Sequence, residues 1–258
     1  MQIPFSKYHG AGNDFVIVDN RDEQIRFEQK QIEWLCNRHF GIGADGLMLL
    51  QSDYKADFRM IYFNSDGNQS SMCGNGGRCL VAFAFSLGVI GEKTNFQAVD
   101  GIHCANVISS DTIALQMTDV ELVEELNNGD YLLDTGSPHY VRFVEDVMNI
   151  DIIENAHEIR YSDRFAEQGV NVNFVSYNGV ELLIRTYERG VEDETLACGT
   201  GVTAAAIAAH KKGLLGTTVG LKAVGGDLSV NFEVSTDGYS NVWKTGPVQL
   251  VFTGNIDV

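Results

Sequence analysis

The chain has 258 residues, of which 44% are hydrophobic, enough for one large domain or two ordinary ones with packed cores. Its net charge of −17, from 35 acidic and 18 basic residues, argues against binding to nucleic acid or to an anionic membrane, because no basic patch is available to neutralise phosphates. No apolar stretch approaches the roughly 18–20 residues of a membrane helix, and the N-terminus lacks the charged-then-apolar pattern of a secretion signal. We therefore expect a cytoplasmic protein with no nucleic-acid or membrane partner.

In the first half of the chain, strand patterns surround one apolar helix. We predict a loop at 7–14, a strand at 15–19, an amphipathic surface helix at 28–39, strands at 47–50 and 58–63, a buried helix at 79–87, and strands at 95–99, 103–108 and 112–117. The glycine-rich segment 41–46 resembles a phosphate loop. We reject a nucleotide site there, because a strand follows and no Gly-Lys-Ser/Thr is present.

The second half repeats this plan. We predict that 131–134 leads into a strand at 141–144. After it we predict a polar segment at 146–160, a short helix at 162–168, a half-buried strand at 170–174, a strand at 182–187, a loop at 188–197, an alanine-rich helix ending near Lys212, and strands at 219–223, 228–234, 241–244 and 248–252. Each half is predicted to consist mostly of strands around one buried helix, and this arrangement indicates the α+β class. We expect one domain at 1–119, joined by the C-terminal tail 247–258, and a second at 120–246.

Five cysteines are an odd number, which argues against a disulfide framework in an intracellular chain. No Cys-x-x-Cys pair occurs, so a metal site is not expected. We expect Cys36, Cys79 and Cys104 to be small buried hydrophobic residues. The remaining two, Cys73 and Cys198, each stand in a Cys-Gly-x-Gly turn that opens into an apolar run.

These two turns belong to an internal duplication. Cys198 follows Cys73 by 125 positions, and five pairs of glycines share this offset: Gly74 with Gly199, Gly76 with Gly201, Gly88 with Gly213, Gly91 with Gly216, and Gly101 with Gly226. A constant offset over about thirty residues indicates two homologous halves with one such cysteine each.

A cysteine at a helix N-terminus suits acid–base chemistry. The unpaired N–H groups and the helix dipole bind anions and lower the pKa of a thiol from about 8.5 toward neutrality. Two such turns, facing each other across a cleft, would suit proton transfer at a carbon next to a carboxylate, with one thiolate as base and the other thiol as acid. A Cys–His hydrolase with His139 as base is a competing interpretation, and for a single copy a purely structural turn would be the simpler one.

Several motifs resemble the diaminopimelate epimerase family. They are Asn13-Asp-Phe15, Asn64 through Cys73-Gly-Asn-Gly-Gly-Arg78, Val170-Asn-Val-Asn-Phe174, and Glu188-Arg-Gly190 through Ala197-Cys-Gly-Thr-Gly201. The resemblance covers nearly the whole chain. It implies epimerisation of LL- to meso-diaminopimelate in lysine and peptidoglycan precursor biosynthesis, without pyridoxal phosphate or metal. It also implies two pseudo-symmetric domains, each a curved, mostly antiparallel sheet around a central helix, and a homodimer.

The resemblance assigns roles residue by residue. Cys73 and Cys198 would be the catalytic pair, and the reacting carboxylate and amine would contact Gly74, Asn75, Gly199 and Thr200. The distal end of the substrate would be held by Asn13, Asn64, Asn171 and Arg189. Glu188 would contact an amine near Cys198, and His139 would support Cys73.

Two positions depart from the family pattern. Many members have asparagine where this chain has Ser137, and some have glutamine where it has Gly46, so substrate contacts at these two positions are left open. A proline or hydroxyproline racemase is the alternative within the same fold. Those enzymes usually carry histidine where this chain has Asn75, and they do not need Arg189 for a second carboxylate.

Overall fold

The computed structural model describes residues 2–257, and the elements below are those of this range. The part up to Gln116 contains β1 (Gln2–Gly10), β2 (Asn13–Asp19), α1 (Gln29–Cys36), β3 (Gly46–Gln51), β4 (Phe58–Asn64), α2 (Gly74–Ser86), β5 (Lys93–Ala98), β6 (Gly101–Ser109) and β7 (Thr112–Gln116). The remainder contains β8 (Val123–Glu125), β9 (Tyr131–Asp134), β10 (Pro138–Phe143), a 3₁₀ turn (Val147–Asn149), α3 (Ile152–Arg160), β11 (Asn171–Tyr177), β12 (Leu182–Glu188), β13 (Asp193–Thr195), α4 (Gly199–Lys211), β14 (Thr218–Ala223), β15 (Gly226–Ser235), β16 (Gly238–Pro247) and β17 (Gln249–Asp257).

The chain divides into two compact units. The first ends at Leu115 and is completed by the segment from Gly246 onward, and the second spans Gln116–Thr245. The C-terminal strand β17 returns to pair antiparallel with β1. Residues 7–10, which we expected in a loop, therefore belong to a strand, because β1 has ladder partners on both sides in β17 and β2.

The strands of the first unit follow the order β17-β1-β2-β3-β4-β5-β6-β7, with β2–β3 and β4–β5 parallel and the other neighbours antiparallel. Those of the second unit follow the order β8-β9-β10-β11-β12-β14-β15-β16, with β10–β11 and β12–β14 parallel. The two orders match strand for strand, including the places of the parallel steps, and this confirms the duplicated, mostly antiparallel α+β fold.

Each unit buries one helix among its strands. Helix α2 packs against β1, β2, β3 and β6, and helix α4 packs against β9 to β12, β14 and β15. Every residue from Gly201 to Ala209 is buried, as expected for a helix that is apolar on all sides. Alanines dominate this stretch, so strands can approach the helix closely. Both helices end at a glycine in the left-handed region, Gly88 at φ 68° and Gly213 at φ 77°, in the usual manner of helix C-termini.

Two segments of the second half differ from, or add to, the sequence analysis. The polar segment 146–160 contains helix α3, which Asp151 caps by accepting a hydrogen bond from Glu154 N, and which buries Ile152 and Ile159 on one face. The predicted helix at 162–168 is a series of turns instead. Cys36 and Cys79 are buried, as expected. Cys104, which we also expected to be buried, is partly exposed. No helix within residues 2–257 is long and apolar enough to cross a membrane.

Candidate active site

Cys73 and Cys198 occupy equivalent backbone positions. Each is the N-cap of its helix, with φ −92° and ψ 122° at Cys73 and φ −93° and ψ 113° at Cys198. Helix α2 begins directly after Cys73, at Gly74, and helix α4 begins directly after Cys198, at Gly199. The first-turn N–H groups, including those of Gly74 and Gly199, therefore point along each helix axis toward the cysteine end. This is the arrangement that binds a carboxylate.

In the first unit, Asn13 connects the cysteine turn to the start of β2. Its Oδ1 accepts hydrogen bonds from Cys73 Sγ at 3.4 Å and from Asn75 Nδ2 at 3.4 Å. Its Nδ2 donates to Asp45 Oδ2 at 2.5 Å. Because a carboxylate can only accept, Asp45 fixes which way the amide faces. The sequence prediction of Asn13 did not include this partner.

A charge network behind Asn13 was also missed from the sequence. Asp14 binds the buried Lys7 through Oδ2 at 2.7 Å and accepts two hydrogen bonds from Arg38, at 2.9 and 2.7 Å. Arg38 also donates to Asp45 Oδ1 at 2.8 Å. Burial alone would raise the pKa of Asp14, but the hydrogen bonds and charges of Arg38 and Lys7 outweigh it and hold that pKa well below its usual range. The only sequence signal was two aspartates, each at the start of a strand.

Asn64 lies at the end of β4, paired in register with Gly46. Its backbone closes a turn through Asn64 N to Asn68 O at 3.0 Å. Its side chain is half-buried and makes no hydrogen bond to residues 2–257, so its amide is available to a ligand. At Gly46, a Cβ would lie 2.4 Å from Phe63 O and 2.5 Å from the Tyr62 ring. No larger residue fits there without displacing backbone, and Gly46 has no side chain with which to contact substrate.

In the second unit, Asn171 at the start of β11 is held on both sides of its amide. Nδ2 donates to Ser137 Oγ at 2.9 Å and to Pro138 O at 3.1 Å, and Oδ1 accepts from the backbone N of Arg189 at 2.9 Å. The Arg189 guanidinium donates to Gln168 O at 2.9 Å and to Ser137 Oγ at 3.3 Å. Ser137 therefore positions two of the predicted binding residues.

His139 is fully buried, and its surroundings keep it neutral. Its Nδ1 lies 3.0 Å from Asn173 Nδ2, which also donates to Tyr140 O at 3.0 Å, and Asn173 Oδ1 accepts from Thr186 Oγ1 at 3.0 Å. Burial lowers the pKa of His139 to about 3, against a smaller opposing effect of the Asn173 bond. Strand β11 is buried on both faces except at its last residue. The expectation of a half-buried strand at 170–174 was therefore wrong. Asn173 lies in the interior of the second unit.

Cys198 lies beside Glu188, which ends β12. Thr195 Oγ1 donates to Glu188 Oε2 at 3.0 Å, and burial raises the pKa of Glu188. Burial raises the pKa of Cys198 to about 11, and the charge of Glu188 adds to this rise. A hydrogen bond with Thr200 Oγ1 at 3.4 Å and the charge of the buried Lys244 are among the effects that lower this pKa, but they are smaller. The expectation of a lowered pKa is therefore wrong for Cys198, because desolvation exceeds the effect of the helix N-terminus.

Each unit thus combines one thiol with an N–H-rich turn and with polar side chains close to the sulfur. The first unit surrounds its cysteine with Asn13 and Asn75, and the second surrounds its cysteine with Glu188 and Thr200. Such groups can hold a carboxylate and an amine and exchange a proton at sulfur. Among residues 2–257, no group of three or more histidines, cysteines and acids is arranged to hold a metal ion.

Comparison with known sequences identifies the family. The family model for diaminopimelate epimerase matches twice, at residues 5–123 and 131–251. A protein from Flavobacterium psychrophilum named diaminopimelate epimerase is 48% identical over 256 residues, covering 97% of this chain and 98% of its own. One of the same name from Chlorobaculum tepidum is 39% identical over 96% of this chain and 98% of its own.

Solved structures share the fold at low identity. A phenazine biosynthesis protein of the PhzF family from Bacillus anthracis superposes with a TM-score of 0.78 at 13% identity, covering all of both chains. A hydroxyproline epimerase from Agrobacterium vitis superposes with a TM-score of 0.63 at 16% identity, covering 99% of this chain and 92% of its own. These structures support the fold alone, whereas the two family matches, one in each unit, and the full-length relatives establish that the chain belongs to the diaminopimelate epimerase family.

Proposed function

We propose that this protein interconverts LL- and meso-2,6-diaminopimelate, a step in lysine and peptidoglycan precursor biosynthesis, without a cofactor. The observation that carries the proposal is the pair of cysteines, Cys73 and Cys198, at the N-caps of two equivalent helices in a chain whose halves both match the family model. A binding protein would not need both thiols.

The reaction is a two-base proton transfer. A thiolate takes the α-proton, so an S–H bond forms while the C–H electron pair moves onto the carbon and its carboxylate. The second thiol then gives its proton to the opposite face of that carbon and becomes a thiolate. No electron is gained or lost, and the enzyme finishes with its two protonation states exchanged. N–H groups of the helix turns stabilise the charge that develops on the carboxylate.

Cys198 is the proton donor toward LL-substrate in this scheme. Its pKa of about 11 keeps it a thiol near neutral pH, which is the form that can donate. The same reasoning disfavours a Cys–His hydrolase. With a pKa of about 3 and Nδ1 engaged by Asn173, His139 is too weak a base to activate a nucleophile. We assign His139 a supporting role.

The binding groups follow the family pattern. We propose that Gly74, Asn75, Gly199 and Thr200 bind the reacting carboxylate and amine, that Glu188 contacts an amine, and that Asn13, Asn64, Asn171 and Arg189 hold the distal end. Arg189 offers a planar fork for the second carboxylate, and Ser137 already orients this side chain through its hydroxyl. This second carboxylate distinguishes the substrate from proline and hydroxyproline.

The experiment is NMR of LL-diaminopimelate with the enzyme in deuterated water, without added cofactor. We expect deuterium at the α-carbon together with meso product. Cys73→Ser and Cys198→Ser should each lower turnover by about 10²–10⁴-fold, the usual contribution of a general acid or base. Cys36→Ser, at a buried thiol outside both turns, is the matched control and should keep turnover.

Three other outcomes separate the alternatives. Exchange with proline or hydroxyproline but not with diaminopimelate would keep the chemistry and refute the substrate. Epimerisation that survives loss of one turn cysteine would refute the two-base mechanism. Absence of exchange with every one of these amino acids would refute the proposal in favour of a binding role.

The same proposal covers assembly and location. We propose a homodimer, supported by the apolar side chains that β17 exposes, Leu250, Val251 and Phe252, each about half accessible. Light scattering after size exclusion should give twice the chain mass, and a monomer mass would refute it. We place the enzyme in the cytoplasm, where thiols stay reduced. Recovery of the activity in a periplasmic fraction would contradict that location.

A further inference from the structure

Two arginine side chains of the second unit run close together over Gly169. A Cβ at Gly169 would lie 2.6 Å from Arg189 Cδ and 3.0 Å from Arg160 Cζ. Arg160 Nη2 forms an ion pair with Glu192 Oε1 at 2.9 Å. Among residues 2–257 no carboxylate forms an ion pair with Arg189, whose guanidinium donates to two neutral oxygens. Arg189, the residue proposed to bind a substrate carboxylate, therefore keeps its charge available.

The partner of Arg160 comes from the same loop as Arg189. Strands β12 and β13 pair antiparallel on either side of residues 189–192, which form a hairpin loop. Arg189 begins this loop and Glu192 ends it. Opposite charges at the two ends of so short a loop attract each other. The Glu192 carboxylate nevertheless pairs with Arg160, which lies 32 positions earlier in the chain.

Several contacts fix the direction of Glu192. Its Oε1 accepts from Arg160 Nη2 at 2.9 Å and from Gly190 N at 3.1 Å, and its Oε2 accepts from the hydroxyls of Tyr187 at 3.2 Å and Tyr161 at 3.3 Å. Its backbone is left-handed, with φ 58°, which residues with a side chain rarely adopt. Burial alone would raise the pKa of Glu192, but these hydrogen bonds and the charge of Arg160 outweigh it and lower that pKa. The carboxylate is therefore charged and held on the side of Arg160.

Arg160 also stabilises the segment that orients Arg189. Its Nη1 donates to Phe165 O at 3.2 Å and to Ala166 O at 3.4 Å. Two residues further on, Gln168 O accepts from Arg189 Nη1 at 2.9 Å. A single arginine thus binds the carboxylate of the hairpin loop and the turn whose carbonyl positions the other arginine.

We propose that Arg160 and Glu192 are positioning residues for Arg189: Arg160 binds the carboxylate of the loop and so leaves the Arg189 guanidinium available to a carboxylate of the substrate. This role rests on the proposed function for its purpose, since Arg189 would bind the distal carboxylate of diaminopimelate. Its consequence is asymmetric. Loss of Arg160 releases a carboxylate that competes for Arg189, whereas loss of the charge of Glu192 releases no competitor.

The first test needs no substrate. It measures modification of Arg189 by phenylglyoxal, read by peptide mass spectrometry, because a carboxylate partner favours the charged guanidinium and slows this reaction. With Arg160→Gln, Arg189 should react about threefold to fivefold more slowly, the size expected for a partly exposed ion pair. With Glu192→Gln the rate should stay within about twofold of the parent, and the double variant should recover that rate.

The second test looks for the same asymmetry in epimerase kinetics. Arg160→Gln should raise KM by about threefold to fivefold and leave kcat within about twofold, because the weakened contact is made equally in the ground state and the transition state. Glu192→Gln and the double variant should keep KM within about twofold of the parent. An ion pair with a merely structural role would give no such recovery in the double variant.

Arg185→Gln is the matched control. Arg185 pairs with Glu194 at 2.7 Å and donates to two backbone carbonyls, as Arg160 does, and its side chain is 16% exposed against 13% for Arg160. It lies outside the loop 189–192. Arg185→Gln should therefore lower Tm without changing the modification of Arg189 or KM.

Four outcomes would overturn the proposal in favour of a packing role. They are an unchanged Arg189 rate in Arg160→Gln, equal slowing in Glu192→Gln, no recovery in the double variant, and the same slowing in Arg185→Gln. If Arg160→Gln does not fold, Arg160→Met takes its place with the same expected results. If the phenylglyoxal results hold but diaminopimelate is not epimerised, the proposed function fails and the role of Arg160 and Glu192 stands.

Discussion

Replacing Asp14 with asparagine should destabilise the first unit strongly. The Lys7 and Asp14 side chains are only 7% and 16% exposed, and their ion pair is 2.7 Å long. In Asp14→Asn the Lys7 ammonium stays buried opposite a neutral amide. Breaking a buried pair from one side costs about 3–5 kcal/mol. Because asparagine still offers an oxygen to accept a hydrogen bond, we expect the lower end, about 3 kcal/mol.

The assay is thermal unfolding followed by circular dichroism. For a chain of this size, about 3 kcal/mol corresponds to a fall in Tm of about 6–12 °C. Arg38→Gln is the control at the same carboxylate. Its side chain is 56% exposed, so losing its ion pair should cost no more than about 1 kcal/mol. Equal losses in the two variants would refute the idea that burial of Lys7 sets the magnitude.

A double variant tests the same reasoning from the other side. Lys7→Met together with Asp14→Asn removes both buried charges, and Arg38 keeps its partner Asp45. Replacing a buried pair by residues of similar volume is often nearly neutral, so most of the lost stability should return. A double variant as unstable as Asp14→Asn alone would show that the charge of Lys7 is not the cause.

The pH dependence has a definite sign. The folded pKa of Asp14 is depressed, so its contribution is present above the ordinary aspartate pKa of about 3.9 and is lost as pH falls below it. As pH falls from about 4 toward the depressed folded pKa, the parent should therefore lose stability more steeply than Asp14→Asn.

Two further predictions concern the second unit. Gly201→Ala places a Cβ 2.3 Å from Asn173 Oδ1, an amide held by three hydrogen bonds. It should cost about 1–3 kcal/mol in urea unfolding, more than Gly76→Ala, whose Cβ meets the flexible end of a methionine side chain. A larger loss of stability in Gly76→Ala than in Gly201→Ala would contradict this prediction. Glu188→Gln should lower the pH midpoint of Cys198 alkylation, because the charge of Glu188 raises the pKa of that thiol. An unmoved midpoint would mean that burial alone sets it.

Local features of the fold could be predicted because the chain encodes them within a few residues. The buried helices follow from apolar runs after Cys-Gly-x-Gly, and their ends follow from Gly88 and Gly213, which adopt the left-handed backbone that side chains disfavour. The offset of 125 residues predicted two equivalent halves, and the matching strand orders confirmed them.

Features that depend on distant partners were not predicted. Residues 7–10 form a strand because β17, from the other end of the chain, supplies a ladder partner. The segment after Arg160 forms turns in place of the predicted helix, and Arg160 donates to Phe165 O and Ala166 O within it. At position 46, neighbouring backbone and a ring exclude a side chain, which no local pattern shows.

For the site, the sequence by itself placed two cysteines, the residues that we propose carry the chemistry, each at a helix N-terminus before a pair of glycines. The tertiary structure decided the charge states of Cys198, His139 and Asp14. Burial and Glu188 keep Cys198 a thiol, burial keeps His139 neutral, and Lys7 with Arg38 keeps Asp14 ionised. The reason is that a pKa depends on desolvation and on charges a few ångströms away in space, and the local sequence pattern shows neither of them.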